Sequence, residues 1–535
     1  MGGAEWPCLA CRQSSKAAVR HSGATALRHA AAVVLLGWGV AATPAAAADP
    51  APEARLTAAL ARLDALAADI QKRSGVPGLA LAVVQGDRVV HVAAYGLRQV
   101  GRPETVNPDT VFQLASLSKP IATTVLAGLV GQGRLTWDTP VRQHLPELLI
   151  GPAGVADAVT LRDLLSHRSG LPDHAGDDLE DLGFDRETVL ERLRFLPIEN
   201  RFRASYAYTN FGFTGAAEAA ARQAGQPWEV LADQQLFRPL GMERTSASHA
   251  AWLAQPNRAR LHVRRGDGWA ALFERDPDAQ SPAGGTSASV RDVARWMVLQ
   301  LNAGRVDGRQ LVAADALAET HRPQMVSRPP ADPSRDRAGF YGLGWGVSYD
   351  DRGQVQLSHS GAFALGAATA VTLRPAEGLG IAVLTNGAPV GAPEALIASF
   401  LDLVRQGRIE RDYLTLFGGV FAQLLAPTYT PPVVPERPLP PLPAAAVVGR
   451  YGNNYIGTAV VRQGETGLVL ELGPQGTPHA LTPVSGATFQ YQPPGENAGG
   501  PSAVEFQLGP DGRATGMRID NLDDAGQGRL RRLES

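Results

Sequence analysis

Apolar residues at Leu56, Leu60, Leu63, Ala67 and Ile70 recur at helical spacing and predict an amphipathic helix, which Val76-Pro77-Gly78 ends. LALAVVQ and RVVHVAAYG then read as two strands joined at Gly86-Asp87. Over 112–129 (FQLASLSKPIATTVLAGL) the spacing turns helical again through Ile121, Val125 and Leu129, and runs out near Gly131 to Gly133. From Thr160, LRDLLSHRSGLPDH starts as a short helix and breaks at Ser169-Gly170-Leu171-Pro172. YAYTNFGFTG leads into an Ala-rich helix through Ala221, with Thr209 or Asn210 placed to cap it. SPAGGTSASVRDVARWMVLQL is a Gly turn, a cap and an amphipathic helix, and the Arg/Pro-rich 321–337 reads as an exposed loop. Three strands follow within 355–386 (VQLSH, GAATAVTLRP, LGIAVLTNG), and the helix PEALIASFLDLVRQ closes this part.

The texture changes at 425–443, where eight prolines predict an extended, semi-rigid linker. Beyond it, over 444–535, GTAVVRQ, GLVLELG, TFQYQ, AVEFQLG and ATGMRID are short strands divided by turns, which predicts a small all-β sandwich or barrel. A helix followed by a hairpin at the start of 55–406 is consistent with a sheet covered by helices. At the N-terminus, Arg20, His21, Arg28 and His29 precede the apolar run AAAVVLLGWGVAATPAAAA, which ends in small residues before Asp49. Residues 1–48 therefore read as an export signal, with an uncleaved anchor as the alternative, and the destination is periplasmic or extracellular.

Charge narrows the function. With 535 residues, 19% charged and a net charge of −2, the chain gives no electrostatic reason to bind nucleic acid. Its two cysteines, Cys8 and Cys11, both lie in the leader, so a mature chain cut near Ala48 crosses an oxidising compartment without disulfides. The eleven histidines are scattered without metal-ligand spacing, no G-x-S-x-G occurs, and no metal or other cofactor is expected.

Ser116 stands three residues before Lys119 at the start of a helix, and positions i and i+3 share a face. A hydroxyl and an amine so placed can form a nucleophile–base pair for acyl transfer. Lysine is scarce here: of fifty Lys and Arg residues only Lys16, Lys72 and Lys119 are lysine. A lysine kept at 119 suggests a task arginine cannot perform, namely losing a proton near neutrality. Tyr208 and Asn210 read either as a proton-transfer phenol and a substrate-binding amide or as an aromatic-plus-cap helix start. His359-Ser360-Gly361 reads either as a strand edge offering N–H groups to an oxyanion or as a turn with a surface histidine. His167 is read as bonding backbone at a turn.

SLSK at Ser116, LLSHRSGLP at Leu164, YTN at Tyr208, PAGGTSASVRDVARW and HSG at His359 stand in an order that resembles the serine β-lactamase and penicillin-binding-protein superfamily. The match is to the branch with class C β-lactamases, D,D-peptidases, esterases and D-aminopeptidases, over roughly 56–406, with the tail resembling a small barrel-like domain of some members. The resemblance implies an α/β fold, an antiparallel sheet flanked by helices plus a mainly helical lobe, followed by the all-β domain. It implies Ser116 as acylated nucleophile, Lys119 as its amine partner, and Tyr208 relaying protons or acting as a phenolate base. Asn210 would bind the substrate amide, and the N–H groups of Ser116 and Ala362 would form the oxyanion hole, with Ser360 and Gly361 beside them. His359 occupies the place of a K-T-G lysine, where partial protonation would bind a carboxylate less well as pH rises. The expected substrate is a small molecule or short peptide (a D-amino-acid peptide, an ester or a β-lactam), hydrolysed through an acyl-enzyme. The alternative is an inactive protein that binds penicillin or peptidoglycan fragments. No membrane span remains after leader cleavage, and the oligomeric state is left open.

Overall fold

The run LALAVVQ is apolar at every position but its last because both of its faces are buried. Leu79, Leu81 and Val83 pack into one core, and Ala80, Ala82 and Val84 into another on the opposite side. The computed structural model describes residues 52–198 and 202–534. The leader expected at 1–48, with Cys8 and Cys11, lies outside the described residues.

Eight strands form one sheet, every neighbour antiparallel. Their order across it is Arg88–Gly96, Gly78–Gln85, Leu379–Thr385, Ala367–Arg374, Val355–Phe363, Gly346–Tyr349, Gly339–Tyr341 and Met325–Arg328. The N-terminal hairpin thus pairs with the last strand, joining the two ends of the domain. One face is covered by helices Pro52–Ser74, Ala392–Gln406 and Tyr413–Leu424. The other carries helices Ser118–Gly131 and Val290–Leu301 and the mainly helical lobe between them. Each fully buried Leu, Val or Phe in these layers contributes about 1.5–3 kcal/mol relative to exposure.

Two readings change. The stretch 321–337 is not wholly loop, since Met325–Arg328 adds an edge strand. Tyr413–Leu424 is a further helix that buries Tyr413, Phe417 and Phe421. No regular element lies between Leu424 and Ala444, as the prolines require.

The C-terminal part is a closed eight-stranded barrel running from Gly449–Asn453 to Arg529–Arg532, which pair to shut it. Tyr451, Leu470, Phe489, Phe506 and Met517 fill its interior. Among the described residues no helix is long and apolar enough to cross a membrane.

Candidate active site

Ser116 sits in the 3₁₀ turn Ala115–Leu117, directly before helix Ser118–Gly131. Ala115 has φ +49°, a left-handed conformation costing an alanine on the order of 1–3 kcal/mol. Neighbours hold it there. Leu114 N–H donates to Thr286 O (2.9 Å), Leu114 O accepts from Thr369 Oγ1 (2.7 Å), and Ala115 packs with Leu261, Phe363 and Ala367. A β-carbon on Gly361 would lie 2.1 Å from Leu114 O and 2.9 Å from Leu117 N. The glycine at 361 therefore admits the Ser116 turn itself, bringing strand Val355–Phe363 against it. Ser116 stays partly exposed among buried neighbours.

Lys119 is fully buried in the first turn of the helix. Its Nζ lies 3.1 Å from Ser116 Oγ, 2.7 Å from Asn210 Oδ1 and 3.1 Å from Ala283 O. Asn210 is oriented by its own Nδ2, which donates to Asp177 Oδ2 at 2.9 Å, so its oxygen faces the lysine. Two of the three partners can only accept. A neutral amine has two protons for those and one lone pair, and the lone pair falls on Ser116, the only partner with a proton to give. Burial lowers this amine from 10.5 to about 7, against the pull of Asp177. The positive end of the helix dipole works in the same direction as burial.

The Tyr208 hydroxyl donates to Ser116 Oγ at 2.9 Å. Burial pushes the phenol far above its ordinary value, with Asp177 and Asp173 adding to the effect. The group is therefore held as a phenol that can donate to Ser116 Oγ. Thr209 occupies the cap position of helix Asn210–Ala224 but makes no side-chain cap bond, and Asn210 turns inward to the lysine. His167, at φ +57°, accepts from Thr209 N–H (3.2 Å) at Nδ1 and packs its ring 4.5 Å from that of Tyr208. It supports the phenol and does not reach Ser116.

His359 departs from the expectation of a partly charged carboxylate binder. Its Nδ1 lies 2.8 Å from Ser360 O and its Nε2 2.8 Å from the Tyr341 hydroxyl. A carbonyl accepts only, so Nδ1 carries the proton and Nε2 accepts from Tyr341, which fixes one neutral tautomer. Burial, aided by Lys119, pushes the ring down to about 3 from 6.5. NMR of ring-labelled protein should show His359 signals that stay flat between about pH 5 and 8; a midpoint near 6.5 would overturn this assignment. Ser360 differs too. It pairs with Ala370, whose side chain packs in the core under helix Ala392–Gln406, and partners across a ladder share a face. The Ser360 hydroxyl thus points away from Ser116, and only its backbone borders the site.

Strand Gly346–Tyr349 pairs with Val355–Phe363 only as far as Ser358, so the edge beyond is open on that side. Gly366 N–H donates to Phe363 O (2.9 Å), which turns the peptide groups of Phe363 toward the neighbouring strand. By alternation those of Ala362 face the open side, beside the Ser116 turn.

Several partners were not read from sequence. Asp177, which fixes Asn210 and accepts at Oδ2 from His174 Nδ1 (2.8 Å), lies in a loop-rich stretch without periodicity. Ala283 contributes only a carbonyl, and Tyr341 stands on a three-residue strand among glycines. Asp177 and Tyr341 carry no motif, and the PAGGTSASVRDVARW motif does not reveal that the Ala283 carbonyl meets Lys119.

Against known proteins, the Beta-lactamase family model matches residues 63–405. A domain of unknown function (DUF3471) matches 434–534. Penicillin-binding protein 4 of Amycolatopsis lactamdurans is 28% identical over 397 residues, covering 70% of this chain and 94% of that protein. Esterase EstB of Burkholderia gladioli is 28% identical, covering 67% and 99%. Among solved structures, a class C beta lactamase from Rhodobacter sphaeroides superposes with TM-score 0.51 at 21% identity, over 69% of this chain and all of that one.

Proposed function

The chain belongs to the beta-lactamase family of serine acyl hydrolases, and on that premise we propose that Ser116 is its acylated nucleophile and that its substrates are esters or amides without a carboxylate. One observation carries this reading: Ser116 Oγ lies between a buried amine at 3.1 Å and a phenol at 2.9 Å. Lys119 takes the Ser116 proton as Oγ attacks the acyl carbon. The N–H groups of Ser116 and Ala362 receive the developing oxyanion. Tyr208 gives its proton to the departing oxygen or nitrogen and regains one from the Lys119 ammonium, so the serine proton ends on the leaving group. Water then attacks the acyl-enzyme, the same groups run the proton transfers in reverse, and Ser116 is restored.

The neutral His359 tied to Tyr341 supports a preference for donors without a carboxylate, such as short esters and D-amino-acid amides, over β-lactams. A charged contact to the carboxylate is worth on the order of 2–5 kcal/mol where present, and without it kcat/KM for cephalosporins should fall below that for p-nitrophenyl acetate. Equal or greater cephalosporin turnover would remove the preference. A fluorophosphonate probe tests the nucleophile on the same preparation. Rapid labelling with ester turnover supports the hydrolase, labelling without turnover supports a penicillin-binding role, and no labelling sinks both. The leader pattern at 1–48 supports action outside the cytoplasm, in the periplasm or medium.

A further inference from the structure

The barrel reaches the edge of the candidate site through the loop that carries Glu496. Glu496, between barrel strands Thr488–Tyr491 and Ser502–Leu508, accepts the N–H of Ala364 on its carboxylate. Asp181 of the catalytic domain anchors this loop. Its Oδ1 accepts from Glu496 N–H (2.8 Å), and its Oδ2 from the backbone N–H (3.0 Å) and the side-chain amide (2.8 Å) of Asn497. Gly495 has φ +89°, and a β-carbon there would lie 2.2 Å from the Asp181 carboxylate, so the loop closes on it without slack. Arg275, whose Nε is 3.8 Å from Glu496, is already paired to Glu180 at 2.6 Å and sits over the Phe363 ring.

Ala364 follows Phe363, the last residue of the strand whose open edge runs past Ser116. At the other end of that edge the His359 ring already holds Ser360 O. The two contacts bracket the backbone groups of Ala362. We infer that Glu496 is a specificity-determining stop, which limits the acyl group bound along this edge to about one residue or a short alkyl chain. The span from Ala362 to Ala364 is at most ~7 Å, two residues at no more than ~3.3 Å each, and a longer acyl chain laid along it meets the carboxylate. This rests on Ser116 being the acylated residue.

The test compares kcat/KM on acetyl, butanoyl and octanoyl p-nitrophenyl esters for the full chain and its variants. The wild type should favour acetyl or butanoyl over octanoyl by at least about tenfold, a factor worth ~1.4 kcal/mol. Glu496→Gly should raise the octanoyl-to-acetyl ratio about tenfold, whereas Glu496→Gln, which keeps the length and an accepting oxygen, should leave the ratio near wild type. Asp181→Asn, which loosens the anchor without touching the strand, should move the ratio in the same direction as Glu496→Gly. If Glu496→Gly is poorly folded by circular dichroism, the Asp181→Asn and Glu496→Gln ratios decide. An unchanged ratio in Glu496→Gly and Asp181→Asn, or a wild type that takes octanoyl as well as acetyl, overturns the stop while leaving the hydrolase intact. A wild type inert toward all three esters and toward the fluorophosphonate overturns the hydrolase and the stop together.

Discussion

Ser116→Ala should reduce p-nitrophenyl acetate hydrolysis by at least about 10⁴-fold, since removing the nucleophile of a covalent triad leaves only binding and oxyanion contributions over water. At ~1.36 kcal/mol per decade that is about 5–6 kcal/mol of transition-state stabilisation. The substitution removes a single oxygen. That oxygen accepts from Tyr208 and faces the Lys119 lone pair, and neither partner can replace it as nucleophile: the amine is enclosed and the phenol holds its proton. The turn should survive, because Ser116 is partly exposed and its conformation is set by Leu114, Ala115 and Gly361. Steady-state rates, thermal melting and intact-mass detection of the fluorophosphonate adduct check the three parts. A variant that folds normally and keeps wild-type turnover would end the assignment of Ser116.

How far the sequence carried the reading follows from what each residue must do. Helices Pro52–Ser74, Val290–Leu301 and Ala392–Gln406 are long enough for one apolar stripe to repeat, so periodicity reveals them. Barrel strands with clean alternation were also legible. Three others were not. Thr477–Ser485 carries Pro478 and Pro483, the latter beside a register shift; Gly449–Asn453 has glycines on both sides of Tyr451; Arg529–Arg532 buries only Leu530 among arginines. At the site, Ser116 and Lys119 are three residues apart, a local relation that spacing reports directly. Asp177 and Tyr341 act across the fold on Asn210 and His359, and no periodicity encodes that. The neutral state of His359 is hidden from the sequence for the same reason. An exposed imidazole titrates near neutrality, but burial against Tyr341 and Lys119 is a tertiary property. The role of the tail was hidden too: Glu496 and Asp181 are ordinary loop and helix-end acids until the barrel docks.

Lys119→Arg should cost almost as much as loss of the nucleophile, about 10³-fold or more in kcat/KM, although it preserves charge and length more closely than most changes. The reason is proton affinity. The active form needs a lone pair on Nζ, and burial brings the amine to about 7 from 10.5, so that form predominates above neutrality. For the wild type, kcat/KM should therefore rise about tenfold per pH unit below 7 and level off above it. A guanidinium stays protonated throughout, so the rising limb should vanish in the arginine variant, which overpacking alone would not cause. Lys119→Met supplies the complementary measurement. In the unfolded chain the amine regains its ordinary value, so between 7 and 10.5 the unfolded state binds the extra proton and native stability rises with pH. That contribution reaches at most about 1.4 kcal/mol per pH unit, and it should be present in wild type and missing from Lys119→Met when urea titrations at about pH 7 and 9 are compared. Equal pH dependence of stability in the two proteins, together with a mild effect of Lys119→Arg on rate, would mean that the buried amine holds its proton, and the serine would then have no base.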